Sequence, residues 1–376
     1  MAGIYVHIPF CEKRCYYCDF YSVANKNKIN DFIEALISEI KLKQGFFHNN
    51  NEPIKTIYFG GGTPSVLSTG QLEIILNEIA TFFDISEVVE CTIEVNPDDI
   101  NAEYVKGLKS IGFNRVSIGI QSFDNGLLKL MNRRHSKKDA IKAVYEFYNA
   151  GINNISVDLI YGLPGTDEIY WENTLLEAFK LPMVHLSAYC LSYEEGTVFY
   201  NWYQRNKIQQ IPEEMQWKQY QLLHEISMNN GFEHYEISNL SKPGYKSKHN
   251  SSYWQGVSYL GLGPAAHSFN GHARSWNIAD IGQYIDLIRE NKTCREEENL
   301  SESDQFNEYL MTRLRTSDGI SIAEMKQKYQ PIFTNDILNE IKNRYSQYFE
   351  SINEERIAMN LEGWFVSDSI IAGLMK

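Results

Sequence analysis

Three cysteines within eight residues, Cys11, Cys15 and Cys18, are the groups in this chain best suited to chemistry. Their Cys-x3-Cys-x2-Cys spacing follows the β-branched and aromatic run IYVHIP, so the thiols sit on a loop directly after a strand. Zinc sites usually take four ligands in two separated pairs, and the chain offers no second Cys pair and no His pair at finger spacing. A [4Fe–4S] cluster held entirely by protein uses four thiolates, so three leave one iron open to an outside ligand. An open metal position marks a reactive centre rather than a structural one. The spacing therefore favours an iron–sulfur cluster over zinc or free thiols. Cys91 and Cys190 lie in strand-like runs and read as small buried hydrophobes, and Cys294 carries no assignment.

Other reactive groups follow later strands. Gly60-Gly61-Gly62-Thr63-Pro64 comes after TIYFGG, and glycines there let backbone approach a ligand where a Cβ would block it. Acidic groups at strand ends, Glu94 and Asp158, suit hydroxyls or a cationic centre, and Arg133 suits a carboxylate. Each taken singly reads as a surface ion pair; the set gains weight from its common position. The segment HNSSYW, with His249, Asn250, Tyr253 and Trp254, puts an imidazole beside flat apolar rings. On those residues alone, a His–Asn pair capping a turn among core aromatics is the stronger reading.

The elements that must position these groups are legible in the periodicity. From Ile4 to about Gly231, strand-like runs (IYVHIP, TIYFGG, CTIEVNP, RVSIGIQ, ISVDLIYG, HLSAYCLS) alternate with stretches of helical spacing. This predicts an α/β fold, an incomplete (β/α)6 barrel of parallel strands with functional groups at their carboxyl ends. Residues 1–235 form that barrel, 236–298 an aromatic and Gly-rich extension, and 299–376 a small, mainly helical, winged-helix-like domain. Within the last, strand-like runs are expected near Ala358 and at Trp364–Val366. The 376 residues suffice for one large domain and an appendage. With 35 basic against 48 acidic residues the net charge is −13, which disfavours nucleic acid as a partner. The final segment, from residue 300, carries 8 basic and 12 acidic residues, so it does not read DNA. No apolar run is long enough to span a bilayer, and Met1 to Phe10 lacks a signal-peptide pattern, so a cytoplasmic location is expected.

CxxxCxxC after an opening strand, with Tyr17 before the last Cys, resembles the signature of the radical S-adenosylmethionine (SAM) superfamily. The resemblance implies that the amino and carboxylate groups of SAM chelate the open iron, and that an electron from the cluster cleaves the sulfonium to a 5′-deoxyadenosyl radical. The cofactor supplies that chemistry, and the protein supplies positioning. Further, YVHIPFCEKRCYYCDF, FGGGTPS, EVNPD, GIQSF and DLIYGLPGTD, in this order, are similar to the oxygen-independent coproporphyrinogen III oxidase-like family, over nearly the whole chain. Carried over by position, the family's SAM contacts fall on Tyr5, Gly61, Gly62, Thr63, Glu94, Gln121, Arg133 and Asp158.

Two departures narrow the resemblance. The oxidase has a fourth cysteine two residues after the third, where this chain has Phe20. It also lacks HNxxYW. Both features resemble the haem chaperone branch of the family. That implies haem as cargo on His249, Asn250, Tyr253 and Trp254, with the iron ligand undecided, and a recipient haemoprotein or respiratory enzyme. A transient association with the membrane surface and a dimer stay open. The alternative is the oxidase reaction of porphyrin biosynthesis, radical decarboxylation of propionates, against which Phe20 argues. A weaker third option is radical chemistry on another tetrapyrrole.

Overall fold

In the computed structural model of the chain, residues 2–47, 52–292, 294–351 and 355–375 are described. Six parallel strands lie side by side in chain order: β1 (Ala2–Ile8), β2 (Ile54–Gly61), β3 (Glu90–Val95), β4 (Arg115–Gln121), β5 (Asn154–Tyr161) and β6 (His185–Cys190). The crossovers carry α1 (Ile29–Leu42), α2 (Thr69–Phe82), α3 (Ala102–Ser110), α4 (Asn125–Leu130) with α5 (Lys137–Asn149), and α6 (Glu168–Ala178). This is the incomplete (β/α)6 barrel that the alternation predicts.

Strand periodicity sorts the side chains. Ile57 and Phe59, Val116 and Ile118, Ile155 and Val157 are buried in the apolar core. Burial of each such side chain stabilises the fold by about 1.5–3 kcal/mol. The intervening residues face the barrel interior and bond one another there: Ser117 Oγ donates to Asp158 at 2.8 Å, and Ser156 Oγ and His185 Nδ1 share a hydrogen bond of 2.8 Å. One face of the sheet is thus oil and the other is polar.

Beyond β6 come α7 (Val198–Gln204) and α8 (Glu213–Asn229), then β7 (Glu233–Glu236) and β8 (Asn239–Ser241), which pair antiparallel at the β6 edge. After α9 (Lys248–Trp254), strand β9 (Tyr259–Leu262) pairs parallel to β1 at the opposite edge. Three antiparallel strands continue outward: β10 (His267–Phe269), β11 (Ala273–Asn277) and β12 (Arg295–Asn299), with α10 (Ile281–Arg289) before the last. The boundary expected at 235/236 therefore falls inside β7. Segment 236–298 serves the barrel sheet itself, occupying backbone groups that both edges would otherwise leave unpaired.

The C-terminal part runs α11 (Glu302–Arg313), β13 (Ile320–Ser321), α12 (Ile322–Lys328), α13 (Pro331–Glu340), then the hairpin β14 (Phe349–Ser351) and β15 (Arg356–Met359). The sheet order β13-β15-β14 and the helices before the hairpin make it winged-helix-like. The run at Trp364–Val366 is not a strand. It belongs to α14 (Leu361–Phe365), which Asn360 caps by accepting from the Gly363 N–H at 2.8 Å, and α15 (Ser367–Leu374) follows. Trp364 is buried there, its indole N–H donating to the Leu314 carbonyl at 3.2 Å. Among the described residues no helix is long and apolar enough to cross a membrane.

Candidate functional site

At the carboxyl ends of the six strands lies a cavity of about 360 Å³. Cys11, Cys15 and Cys18 line it from the loop after β1, facing Gly61, Gly62, Thr63, Glu94, Gln121, Arg133 and Asp158. The three thiols are partly exposed and unbridged. Burial raises the pKa of Cys11 and pushes Cys18 up to about 12, so both are protonated thiols until a metal displaces the proton. Among the described residues no group of three or more His, Cys, Asp or Glu converges closely enough to hold a single ion. Three thiols on one wall, with Arg133 Nη1 donating to Cys15 Sγ, suit an iron–sulfur cluster, which takes one thiolate per iron.

Arg133 is the best-anchored cation of the cavity. Its Nη2 donates to the Gly119 carbonyl at 2.5 Å and to Asn96 Oδ1 at 2.7 Å, while Nη1 donates to Cys15 Sγ at 3.3 Å. Its Nε is buried with no partner among the described residues, a donor left for a carboxylate ligand. The segment that carries it is fixed by the Ser136–Asp139 capping box at the start of α5. Thr63 Oγ1 donates to Cys11 Sγ at 3.4 Å and accepts from Asn96 Nδ2 at 3.3 Å.

Two carboxylates face this cationic side. Burial raises the pKa of Glu94 to about 7, against the hydrogen bond of 2.7 Å that Tyr58 OH donates to it. Burial also raises Asp158, against donation from Ser117. Gln121 sits at a register shift in β4 with φ of 66°, a left-handed conformation that costs a non-glycine residue energy and turns its side chain into the cavity.

The glycine segment needs a different explanation from the one its sequence invites. A Cβ on Gly61 would lie 2.6 Å from the His7 ring, and one on Gly62 would lie 2.7 Å from the Phe10 carbonyl. Both positions line the cavity, but the space they save is taken by β1 and the cysteine loop. Tyr5 is also displaced from the expected set. It lies on the wall of a neighbouring cleft, its ring stacked on Tyr58 at 6.0 Å.

That cleft, of about 650 Å³, opens between the β9–β11 strands and helices α11 and α12. Its lining is aromatic (Tyr5, Phe20, Tyr21, Tyr253, Trp254, Tyr259, Phe269, Tyr309 and Tyr329) with Arg274, Arg313 and Lys328 among it. Asp19 and Phe20 line both cavities, and Phe20 is 65% exposed at their junction. Helix α9 divides the HNSSYW residues between them: Asn250 lines the thiol cavity, whereas Tyr253 and Trp254 line the cleft.

His249 reaches neither cavity. It is 0% exposed; Nδ1 shares a hydrogen bond of 2.8 Å with Thr56 Oγ1, and Nε2 one of 2.7 Å with Tyr253 OH. Burial, then the charge of Arg115, lowers its pKa to about 3, so it is neutral. A Cβ on Gly3 would come within 3.2 Å of its ring, which explains that glycine. The backbone N–H groups of Lys248 and His249 both donate to the Glu90 carboxylate at 3.0 Å, pinning the start of α9 beneath the sheet.

Several lining residues carry no strong signal in the sequence. Tyr58 follows from the alternation that buries Ile57 and Phe59, and Asn96 lies inside the strand-end motif EVNP. Cys190, expected in the core, instead ends β6 and is exposed to the thiol cavity, because the strand emerges from the sheet at that point. The aromatic cleft as a whole has no sequence signal.

The sequence pattern of the Radical SAM superfamily matches residues 5–178. The chain is similar to the heme chaperone HemW of Lactococcus lactis subsp. lactis, at 35% identity over 97% of this chain and 95% of that protein. It is likewise similar to HemW of Bacillus subtilis, at 36% identity over 88% and 87% respectively. Its fold matches the solved structure of coproporphyrinogen III oxidase (HemN) from Escherichia coli, a radical SAM enzyme. The TM-score is 0.85 with 21% identity, over 100% of this chain and 90% of that one, a likeness of fold alone.

Proposed function

Since this chain belongs to the haem chaperone branch of the oxygen-independent coproporphyrinogen III oxidase-like family, within the radical SAM superfamily, we propose that it binds haem and delivers it to haemoproteins in the cytoplasm. One observation supports this most: a thiol-lined cavity and an aromatic cleft lie side by side, with Phe20 at their junction. Cys11, Cys15 and Cys18, which line the cavity together, would hold a [4Fe–4S] cluster, and with three thiolates one iron would be left for SAM. Bound together, cluster and SAM supply one-electron reductive cleavage of the sulfonium.

The chain's own residues do the positioning. Arg133, anchored by Asn96 and Gly119, directs its spare Nε to the cofactor carboxylate. Glu94 and Asp158 accept from hydroxyls on the opposite side, and Gln121 adds a polar contact. A decarboxylase of this family needs a thiol two residues beyond Cys18, and a phenyl ring there neither donates a hydrogen atom nor ligates metal. Transfer of haem needs only a flat apolar slot and a ligand for iron.

The test is an anaerobic comparison on reconstituted full-length protein. Stoichiometric haem uptake, followed by transfer to an apo-haemoprotein, is expected. Multiple turnovers of carbon dioxide release from coproporphyrinogen III, with vinyl product, would replace the delivery reading by the oxidase one.

A further inference from the structure

Resting on the haem-binding reading above, we infer that haem occupies the aromatic cleft beneath the C-terminal domain, with His267 rather than His249 ligating its iron and Lys328 pairing a propionate. Elimination among the imidazoles points there. His249 has both nitrogens engaged, by Thr56 and Tyr253, and no exposure. His7 touches the cleft but is also fully engaged, Nε2 with the Tyr21 carbonyl at 3.0 Å and Nδ1 with Tyr5 OH at 3.3 Å. His267, at the start of β10, lines the same cleft and is exposed, and no described residue hydrogen-bonds either of its nitrogens. Its ring is held in place by stacking on Trp276 at 5.9 Å. Burial, then the charge of Arg274, lowers its pKa and keeps the imidazole in the neutral, ligating form.

The charges of the cleft fit a haem with its two carboxylates outward. Arg274 and Arg313 are already paired with Glu308 and Glu324, so they add little net attraction. Lys328 lies over the Tyr329 ring at 5.4 Å, and no described carboxylate is within ion-pair reach of it. Tyr253 and Trp254 supply the flat apolar wall. The backbone bends sharply beside the ligand position: Ala265, on the cleft wall, has φ of 61°, a left-handed conformation held by its N–H bond to the Ile278 carbonyl at 3.1 Å.

The experiment is titration of full-length protein with ferric haem, read by the Soret band and by electron paramagnetic resonance. His267→Ala should shift the band and weaken binding about tenfold or more. Added imidazole should restore the wild-type spectrum, and His267→Tyr should convert it to that of a phenolate-ligated iron. Lys328→Ala should weaken binding several-fold with the spectrum unchanged. If wild type binds haem but His267→Ala has its spectrum and affinity, the ligand assignment is wrong while haem binding stands. The assignment to His267 is equally overturned if His249→Ala, still folded, is the variant that loses imidazole ligation. If wild type takes up no haem, the function proposed above fails and the His267 assignment fails with it.

Discussion

The thiol cavity and the aromatic cleft share Asp19 and Phe20, yet on either side of that wall the chain uses opposite surfaces. The cavity is lined by short-range motifs at strand ends, anchored by hydrogen bonds such as those of Arg133 to Asn96 and Gly119. The cleft gathers rings from the cysteine loop, α9, β9–β11 and two helices of the C-terminal domain. The groups of the cavity are thus tied to one another within the barrel, whereas the lining of the cleft is split between the barrel sheet and the helices that follow it.

Four substitutions separate the two regions. Cys15→Ser should abolish the brown absorbance of the reconstituted cluster, while haem titration stays as in wild type. Loss of both would show that the cavities are not independent. His249→Ala leaves the Thr56 and Tyr253 hydroxyls without a partner and opens a void between the cavities. It should cost about 2–5 kcal/mol in thermal or denaturant unfolding, with cluster content preserved. A stable variant would remove His249 as the strut. Arg133→Ala should weaken SAM binding by about 1.5–3 kcal/mol, roughly ten- to a hundredfold by calorimetry, and leave haem affinity alone.

Glu94→Gln is read by its pH dependence rather than by a binding loss. With a pKa raised from 4.5 to about 7, the folded state holds a proton that the unfolded chain has released between those values. The stability Glu94 contributes is therefore present below pH 4.5 and lost as pH rises through 7. The melting temperature of the apoprotein should fall less steeply with pH over that window in Glu94→Gln. An identical slope would place the ionisation elsewhere.

The parallel strands and the cysteine loop were legible because their signals are local. TIYFGG and ISVDLIYG carry the strand period within a few residues, and the spacing of Cys11, Cys15 and Cys18 on one loop already places the three thiols together, as on the wall of one cavity. What the sequence hid was set by long-range contacts. His249 is hydrogen-bonded to Thr56, 193 residues away, and no local pattern records that bond. The exposure of Cys190 depends on where β6 leaves the sheet, and the run at Trp364–Val366 became helical because Asn360 caps it and Trp364 docks on Leu314. The cleft is the extreme case, since Phe20 and Tyr309 meet only after the C-terminal domain folds back over the N-terminal loop.

Helix α9 has one more consequence. Its seven residues are tethered at the start by Glu90 and braced in the same turn by His249 against β2, and they present Asn250 to one cavity and Tyr253 with Trp254 to the other. Such a rod has little freedom to yield at one end while staying fixed at the other. A ligand that displaces it from one side changes the free energy of occupancy on the other, and thermodynamic reciprocity makes that coupling equal in both directions. A substitution that leaves α9 in place, such as Cys15→Ser or Arg133→Ala, therefore leaves the other cavity unchanged, and only one that moves this rod of under two turns is felt on both sides.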